Sequence, residues 1–480
     1  MQNTSWLAFS IDRTSTSPVF EQICEAIRAR TVAGDLTEGQ KLPPTRVFAT
    51  ELGVSRSTVV TAYEQLVAEG YLVAQQGSGY RVCAVGEVEL PRRAERPRQQ
   101  NTPLNTAKNT PQNTAPAPRP FEAGQPDMRL FPHRQWAKTV ARICRSDPQS
   151  MLMGAPRFGH LPLRQAIADH VAEWRGIQAD PDQIILTAGA TDALEICTRT
   201  LARPGDGIGL EDPGYRPLRQ FALARDLRPE YLPVVAGDVS LPRTTPRIVV
   251  LTPSQQYPLG GAMSPGRRRE FIRWAEREDA WIIEDDYDSE FRYAGRPIPA
   301  MAGFDHLSRT IYVGSFSKIF SNTLRLGYLI MPRALTDQFH ATLRRFGPRA
   351  SLMPQAPLAA FLSSGEFYRH LRRVRRIYGE RRRFLTQHLA REFAEFGWFH
   401  DHQAGMQICF HLQGELRDTE IARRAADQKL TISPLSHYAQ DGSGVNGLIL
   451  GFCATSEDEM APALQRLTSL LRSYSADAPS

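Results

Sequence analysis

The stretch "VGSFSKIFSNTLRLGYLI", Val313 to Ile330, decides how this chain is read. Lys318 is its only lysine, set among small and apolar residues, with Ser315 before it and Arg325 after it. A lysine beside a Ser-rich turn is most often a surface residue, and four other stretches argue against that here. "EDDYDSEF" places Asp285 and Tyr287 after the apolar run "AWII". "EDPGY" places Tyr215 after "GIGL". "LTAGATDAL" sets Gly189, Ala190 and Thr191 where a strand ends and a helix opens, and Arg325 follows the lysine itself. The runs "QIILTAG", "RIVVLTP", "AWIIEDD" and "RTIYVGSF" have the length and branched-residue content of strands, and "DALEICTRTLA" and "PGRRREFIRWAERE" have helical spacing. Such alternation predicts an α/β domain with a mainly parallel sheet covered by helices on both faces. In these sheets ligands bind beyond the carboxyl ends of the strands, where these motifs fall.

One ligand accounts for all of them. The aldehyde of pyridoxal phosphate needs a nucleophilic amine to form a Schiff base, and Lys318 supplies it. Its pyridine nitrogen needs a carboxylate, Asp285, and its phenolic oxygen a donor, Tyr287. Its phosphate needs a helix N-terminus, hydroxyls and an arginine: Gly189, Ala190 and Thr191, with Ser315, Ser317 and Arg325. Tyr215 offers a flat face for the ring.

At 480 residues the chain exceeds one ordinary domain. The net charge of +7 favours polyanionic partners only modestly at this length. Six scattered cysteines show no CxxC pair, and are expected as buried small hydrophobes in a reducing compartment. The N-terminus lacks the pattern of a signal peptide and no apolar stretch is long enough to span a bilayer, so a soluble cytoplasmic protein is expected. "RRAERPRQQNTPLNTAKNTPQNTAPAPRP", Arg92 to Pro120, has nothing to build a core and reads as a flexible tether with an Arg cluster at Arg92, Arg93, Arg96 and Arg98.

Ahead of the tether, "PVFEQICEAIRARTVAG" places Val19, Ile23, Ile27 and Val32 on roughly one helical face, closed by Gly34. "PTRVFATELGV" predicts a helix from Thr45 to Leu52 ended by Gly53. "SRSTVVTAYEQLVAEG" follows with Ser55 as N-cap and Val59, Tyr63, Leu66 and Val67 as the buried stripe. This is helix-turn-helix spacing, and "YLVAQQGSGYRVCA" adds a hairpin. Ser55, Arg56 and Thr58 sit where side chains and the helix dipole can meet phosphates and base edges in a major groove.

The segment "LPPTRVFATELGVSRSTVVTAYEQLVAEGYLVAQQGSGYRV" resembles the GntR-type winged helix throughout, which implies that Arg46, Arg56, Ser57, Thr58 and Gly77 lie near DNA. The larger part resembles the class I, fold type I aminotransferases, on "TPSQQYPLGGAMS" and on "SFSKIFSNTLRLGY", which matches their Schiff-base lysine segment. Joined through a long tether, the two are similar to MocR/GabR-type transcriptional regulators. The expected architecture is a winged helix-turn-helix over 16–84, a linker over 85–120, and over 121–475 a pyridoxal phosphate-binding, aminotransferase-like domain with a smaller C-terminal α+β subdomain. The resemblance further implies a domain-swapped homodimer, double-stranded DNA as partner, and a small amine or amino-acid-like effector, or pyridoxal phosphate itself, as signal. The competing expectation is a working aminotransferase carrying a regulatory DNA-binding module.

Two departures from that pattern stand out. Aminotransferases hold a substrate carboxylate with an Arg that falls here in "NGLILGFCA", at or beside Ile449, leaving Arg216 or His437 as substitutes. Tyr257, in "SQQYP", stands where enzymes place an Asn against the cofactor's phenolic oxygen.

Overall fold

The computed structural model describes residues 11–15, 17–75, 79–83, 119–153, 156–235, 237–295, 297–440 and 444–477. The chain divides into two compact units, Met1–Asn113 and Thr114–Ser480. The tether's Arg cluster and Gly77 lie outside the described residues.

In the smaller unit α1 (Val19–Val32), α2 (Thr45–Leu52) and α3 (Arg56–Ala68) precede a hairpin of β1 (Leu72–Gln75) and β2 (Gly79–Val82). Ile23, Ile27, Phe48, Val59, Tyr63, Leu66, Leu72 and Val82 form one core. The turn between α2 and α3 follows from two residues. Gly53 takes a left-handed conformation (φ 63°, ψ 36°) that a side chain would resist, and Ser55 caps α3 by accepting from the Thr58 amide. Val32, expected on the buried face of α1, is 45% exposed. Five positions beyond Ile27 it has rotated off the stripe; Thr31 takes the inward place, its hydroxyl donating to the Ile27 carbonyl at 2.8 Å.

The larger unit is built on eight strands in the order β3-β10-β9-β8-β7-β4-β5-β6. They are β3 (Ile184–Thr187), β4 (Gly207–Asp212), β5 (Arg228–Val235), β6 (Asp238–Val239), β7 (Ile248–Leu251), β8 (Trp281–Asp286), β9 (Thr310–Ser315) and β10 (Gly327–Ile330). The pairs from β5 through β4, β7 and β8 to β9 are parallel, while β10 runs antiparallel to β9 and β3, and β6 to β5. β3, β7 and β8 are buried along their whole length, as expected for a sheet covered on both faces. A second, antiparallel sheet joins β11 (Gly397–Phe399), β12 (Gln407–Leu412), β13 (Ser433–Pro434) and β14 (Gly447–Gly451) in the order β11-β12-β14-β13. It is the smaller α+β part, reached through the long helix Glu366–Glu392.

Four cysteines are buried as expected (Cys24, Cys197, Cys409 and Cys453), but Cys83 is intermediate and Cys144 exposed. Cys144 lies on the helix His133–Ser146, which buries none of its residues within this chain. Among the described residues no helix is long and apolar enough to cross a membrane.

β8 ends in three consecutive acids that part in three directions. Glu284 accepts from the amides of Met301 (3.0 Å) and Ala302 (2.9 Å). Asp286 pairs with the Arg175 Nε at 2.8 Å and accepts from the Tyr312 hydroxyl at 2.5 Å. Asp285 turns into a cavity. Arg175 and Asp286 are both nearly fully buried, so removing the cation leaves a carboxylate stranded out of water. Arg175→Met should lower the stability of the larger unit by about 3–5 kcal/mol, read as an earlier denaturant midpoint by tryptophan fluorescence.

Candidate functional site

At the carboxyl edge of β3, β4, β7, β8 and β9 lies a cavity of about 230 Å³, and every residue expected from the sequence to meet the cofactor lines it: Lys318, Asp285, Tyr287, Tyr215, Ala190, Thr191, Ser315, Ser317, Arg325 and Tyr257. Lys318 arrives there because its neighbours turn inward. Phe316, Ile319 and Phe320 are buried at 2%, 4% and 2% exposure, and the Ser317 amide donates to Ser315 Oγ at 3.1 Å. With those side chains fixed in the core, the lysine projects the other way. Its Nζ donates to the Gly124 carbonyl at 2.7 Å. Burial pulls its pKa below the usual lysine value, with Asp288 and Asp285 pulling against that shift.

Asp285 is fully enclosed, and its Oδ1 has no hydrogen-bond partner among the described residues. Burial, then the nearby Asp286 and Glu211, push its pKa up to about 7. An orphaned carboxylate oxygen in a cavity that also holds an amine calls for an N–H donor from a ligand. Across the cavity, Gly189 caps the helix Ala190–Leu201, so the unpaired amides of its first turn face the space. Arg325 is exposed, takes the left-handed conformation (φ 50°, ψ 49°), and makes no ion pair among the described residues. A helix N-terminus, two serines and an uncommitted guanidinium form a phosphate cradle.

Tyrosines line the remaining side. Tyr257 meets Tyr215, Tyr287 and Tyr438 edge-on, with centroids 5.8, 5.4 and 5.4 Å apart, and its hydroxyl lies 3.4 Å from that of Tyr438. Burial raises the pKa of Tyr257 and Tyr287, so both remain phenols and hydrogen-bond donors at neutral pH. The chemistry of the lining, with an amine, a carboxyl, buried phenols and a helix N-terminus beside serines and an arginine, fits pyridoxal phosphate.

Sequence reasoning missed several members of the lining. Asp288 stands in the quoted "EDDYDSEF" and lines the cavity with a buried, unpartnered Oδ1. It is the charge that acts most strongly on Lys318. The strand pattern alone gave no sign that the turn after β8 would bring it back. Ala123 and Gly124 come from the segment just past the tether, which pairs with β14: the Gly451 amide donates to the Phe121 carbonyl at 3.0 Å. A Cβ on Gly451 would sit 2.1 Å from the Glu122 carbonyl oxygen, so this docking requires a glycine there. Thr252, Met406 and Gln407 complete the walls.

The arginine position at Ile449 is apolar in the structure as in the sequence. Ile449 is fully buried against Cys409 and Leu435. Arg216 and His437, the substitutes considered for it, are exposed and do not line the cavity. Among the described residues Arg325 is the cavity's only arginine.

In the smaller unit Arg46, Ser55, Arg56 and Ser57 are exposed and Thr58 half-buried around the α2–α3 turn. Ser55 Oγ contacts Ser57 Oγ at 2.7 Å and Thr58 Oγ1 at 2.8 Å, so its role is to fix the start of α3. Arg56 Nε lies 3.5 Å from Thr45 Oγ1, which lays the guanidinium across the two helix starts.

A winged helix on one unit and an aminotransferase-like fold with a lysine-bearing cavity on the other define a class of two-part protein. The family model for aminotransferase class I and II matches residues 121–467, and that for bacterial regulatory proteins of the gntR family matches residues 20–82. The probable rhizopine catabolism regulatory protein MocR of Rhizobium meliloti is 36% identical over 467 residues, 96% of this chain and 95% of that protein. The HTH-type pyridoxine biosynthesis transcriptional regulator PdxR of Corynebacterium glutamicum is 34% identical over 453 residues, 93% of this chain and 94% of the other. Among solved structures, LysN, an alpha-aminoadipate aminotransferase from Thermus thermophilus, matches with a TM-score of 0.67 and 26% identity over 75% of this chain and 93% of its own. The chain belongs to the MocR-type regulators, in which a GntR-type DNA-binding domain is fused to an aminotransferase class I and II domain. It is a DNA-binding transcriptional regulator by family, and the fold of its larger unit is one whose members bind pyridoxal phosphate.

Asp285 offers a pH test of this geometry in cofactor-free protein. Its folded pKa, about 7, lies above the unfolded value of 3.8, so its contribution to stability is full below about pH 4 and lost as pH rises through 7. Asp285→Asn removes that loss. The variant should exceed the wild type in stability by up to about 4 kcal/mol at pH 8 and by little at pH 4, measured as urea midpoints.

Proposed function

We propose that this regulator holds pyridoxal phosphate at Lys318 and answers to an amine, or to pyridoxal phosphate itself, by changing how its winged helix engages double-stranded DNA. The observation that carries this reading is the presence of Lys318 and the orphaned Asp285 oxygen in one cavity. When bound, the cofactor supplies an electrophilic carbon that captures amines. The chain's own residues do the rest. Lys318, desolvated, keeps a larger fraction of its amine neutral and nucleophilic than a surface lysine. Asp285 would keep the ring nitrogen protonated, Tyr287 would donate to the phenolic oxygen, Tyr215 would cover the ring, and the Gly189–Ala190–Thr191 turn with Ser315, Ser317 and Arg325 would anchor the phosphate.

With Arg325 committed to phosphate and Ile449 packed in the core, this cavity offers an effector no second guanidinium among the described residues. That favours an amine recognised through tyrosine hydroxyls and ring faces over an ordinary α-amino acid.

The Lys318–Gly124 hydrogen bond links the cavity to the segment that leaves the tether. Engaging Lys318 covalently removes its proton from the Gly124 carbonyl, which gives the signal a path toward the DNA-binding unit. A cytoplasmic, domain-swapped homodimer completes the reading. Supporting a dimer, the helix His133–Ser146 buries none of its residues within this chain, and Leu152, Met153 and Leu161 nearby are 74%, 61% and 51% exposed.

Borohydride reduction after incubation with pyridoxal phosphate should fix one cofactor mass on the wild-type chain and none on Lys318→Ala, by intact-mass spectrometry. Cofactor fixed on the variant would remove the assignment. Arg56→Ala should weaken operator binding by about 1–3 kcal/mol if it reads a base, whereas a phosphate contact would instead lower the salt slope by about one. Both are read from binding isotherms at several salt concentrations.

A further inference from the structure

The long helix Glu366–Glu392 carries Arg372, Arg375, Arg376, Arg382 and Arg383 at spacings of three, four, ten and eleven from the first. On an ordinary amphipathic helix that spacing marks the apolar stripe. Here it marks a row of guanidinium groups about 16 Å long. The row does not lie on a convex surface. Together with Arg292, from the turn after β8, it lines a hollow of about 450 Å³ whose lining, among the described residues, contains no carboxylate. Gly379 sits in the middle of the row, and a Cβ there would already press on the Tyr293 ring at 3.3 Å, so the hollow exists because that position lacks a side chain.

Two guanidiniums mark its floor. The Arg382 side chain is only 4% exposed, and its Nε is buried with no hydrogen-bond partner among the described residues. Arg292 Nε is buried and unpartnered as well. Arg382 pairs with Asp401, and Arg376 lies 3.6 Å from Glu380, which leaves six cations facing two acids at the margin. Arg375 is held by the Arg292 carbonyl and Tyr293 by the Gly405 carbonyl, so the walls are fixed before any ligand arrives. Like charges crowded around one hollow repel each other, and an anion between them would relieve that repulsion.

We propose that this hollow is a second ligand site of the larger unit, built for a compact anion that carries two or more phosphate groups. Arg372, Arg376 and Arg383 are exposed and form the rim, and Arg382 and Arg292 bring their positive charge to the floor. A DNA duplex would reach the rim and leave the floor unpartnered, which is why a compact ligand fits better. Burial lowers the pKa of Arg382.

Calorimetric titration of the full chain with sodium pyrophosphate at fixed ionic strength tests the site. The wild type should show saturable binding. Arg372→Gln/Arg376→Gln/Arg383→Gln should weaken it at least about a hundredfold, since each charge-assisted bond is worth roughly tenfold. Arg273→Gln/Arg373→Gln/Arg391→Gln, which removes equal charge from outside the hollow, should keep the affinity within about twofold. Binding that survives the rim variant but disappears in Arg325→Ala would place pyrophosphate in the cofactor cavity and overturn the proposal. So would a wild type that binds no pyrophosphate, including the case where the rim variant alone loses affinity for random duplex DNA.

Discussion

Everything in the larger unit is arranged around one electrostatic constraint: too many acids meet at one strand edge. Glu211, Glu284, Asp285, Asp286 and Asp288 all end up buried near the carboxyl ends of β4 and β8. Carboxylates out of water must be paired, hydrogen-bonded or protonated. Asp286 has Arg175, Glu284 has two backbone amides, and Glu211 has the amide and hydroxyl of Thr252. The fold satisfies three of the five. Asp285 and Asp288 each keep a buried oxygen with no donor among the described residues, and both face the cavity beside Lys318.

That imbalance is where structure becomes function. A site that satisfied all its acids would have no use for a ligand; this one has two vacant acceptors, a desolvated amine and an anion cradle within one cavity. The strain reaches the backbone too, since Arg325 adopts a conformation ordinary for glycine and uncommon for arginine. The segment that follows the tether docks beside β14 and presents a carbonyl to Lys318.

Much of this was legible in the sequence, and the reasons are local. Hydrophobic period separated strands from helices, and Gly53 with Ser55 marked the turn between α2 and α3. The cofactor motifs were legible because each sits at a strand end whose sheet position follows from the α/β alternation. Val32 was misplaced because a stripe on a short helix tolerates only about one residue of drift before it leaves the core. Cys144 was misplaced because composition says that cysteines tend to be buried and cannot say which face of its helix a given one occupies; on this helix Trp136 packs against Phe320 and Phe361, while Cys144 is exposed.

The sequence by itself pointed to the two-part architecture, to several of the strands and helices and to ten residues that line one cavity, since these follow from short-range pattern, motif spacing and resemblance. Only the tertiary structure decided the return of Asp288 to Lys318, the docking of Gly124 against it, and the hollow in which Arg292 meets the arginine row of a helix some eighty positions away. The physical reason is the same in each case. These are contacts between segments far apart in the chain, set by how layers pack and which loops return, and no local periodicity encodes them.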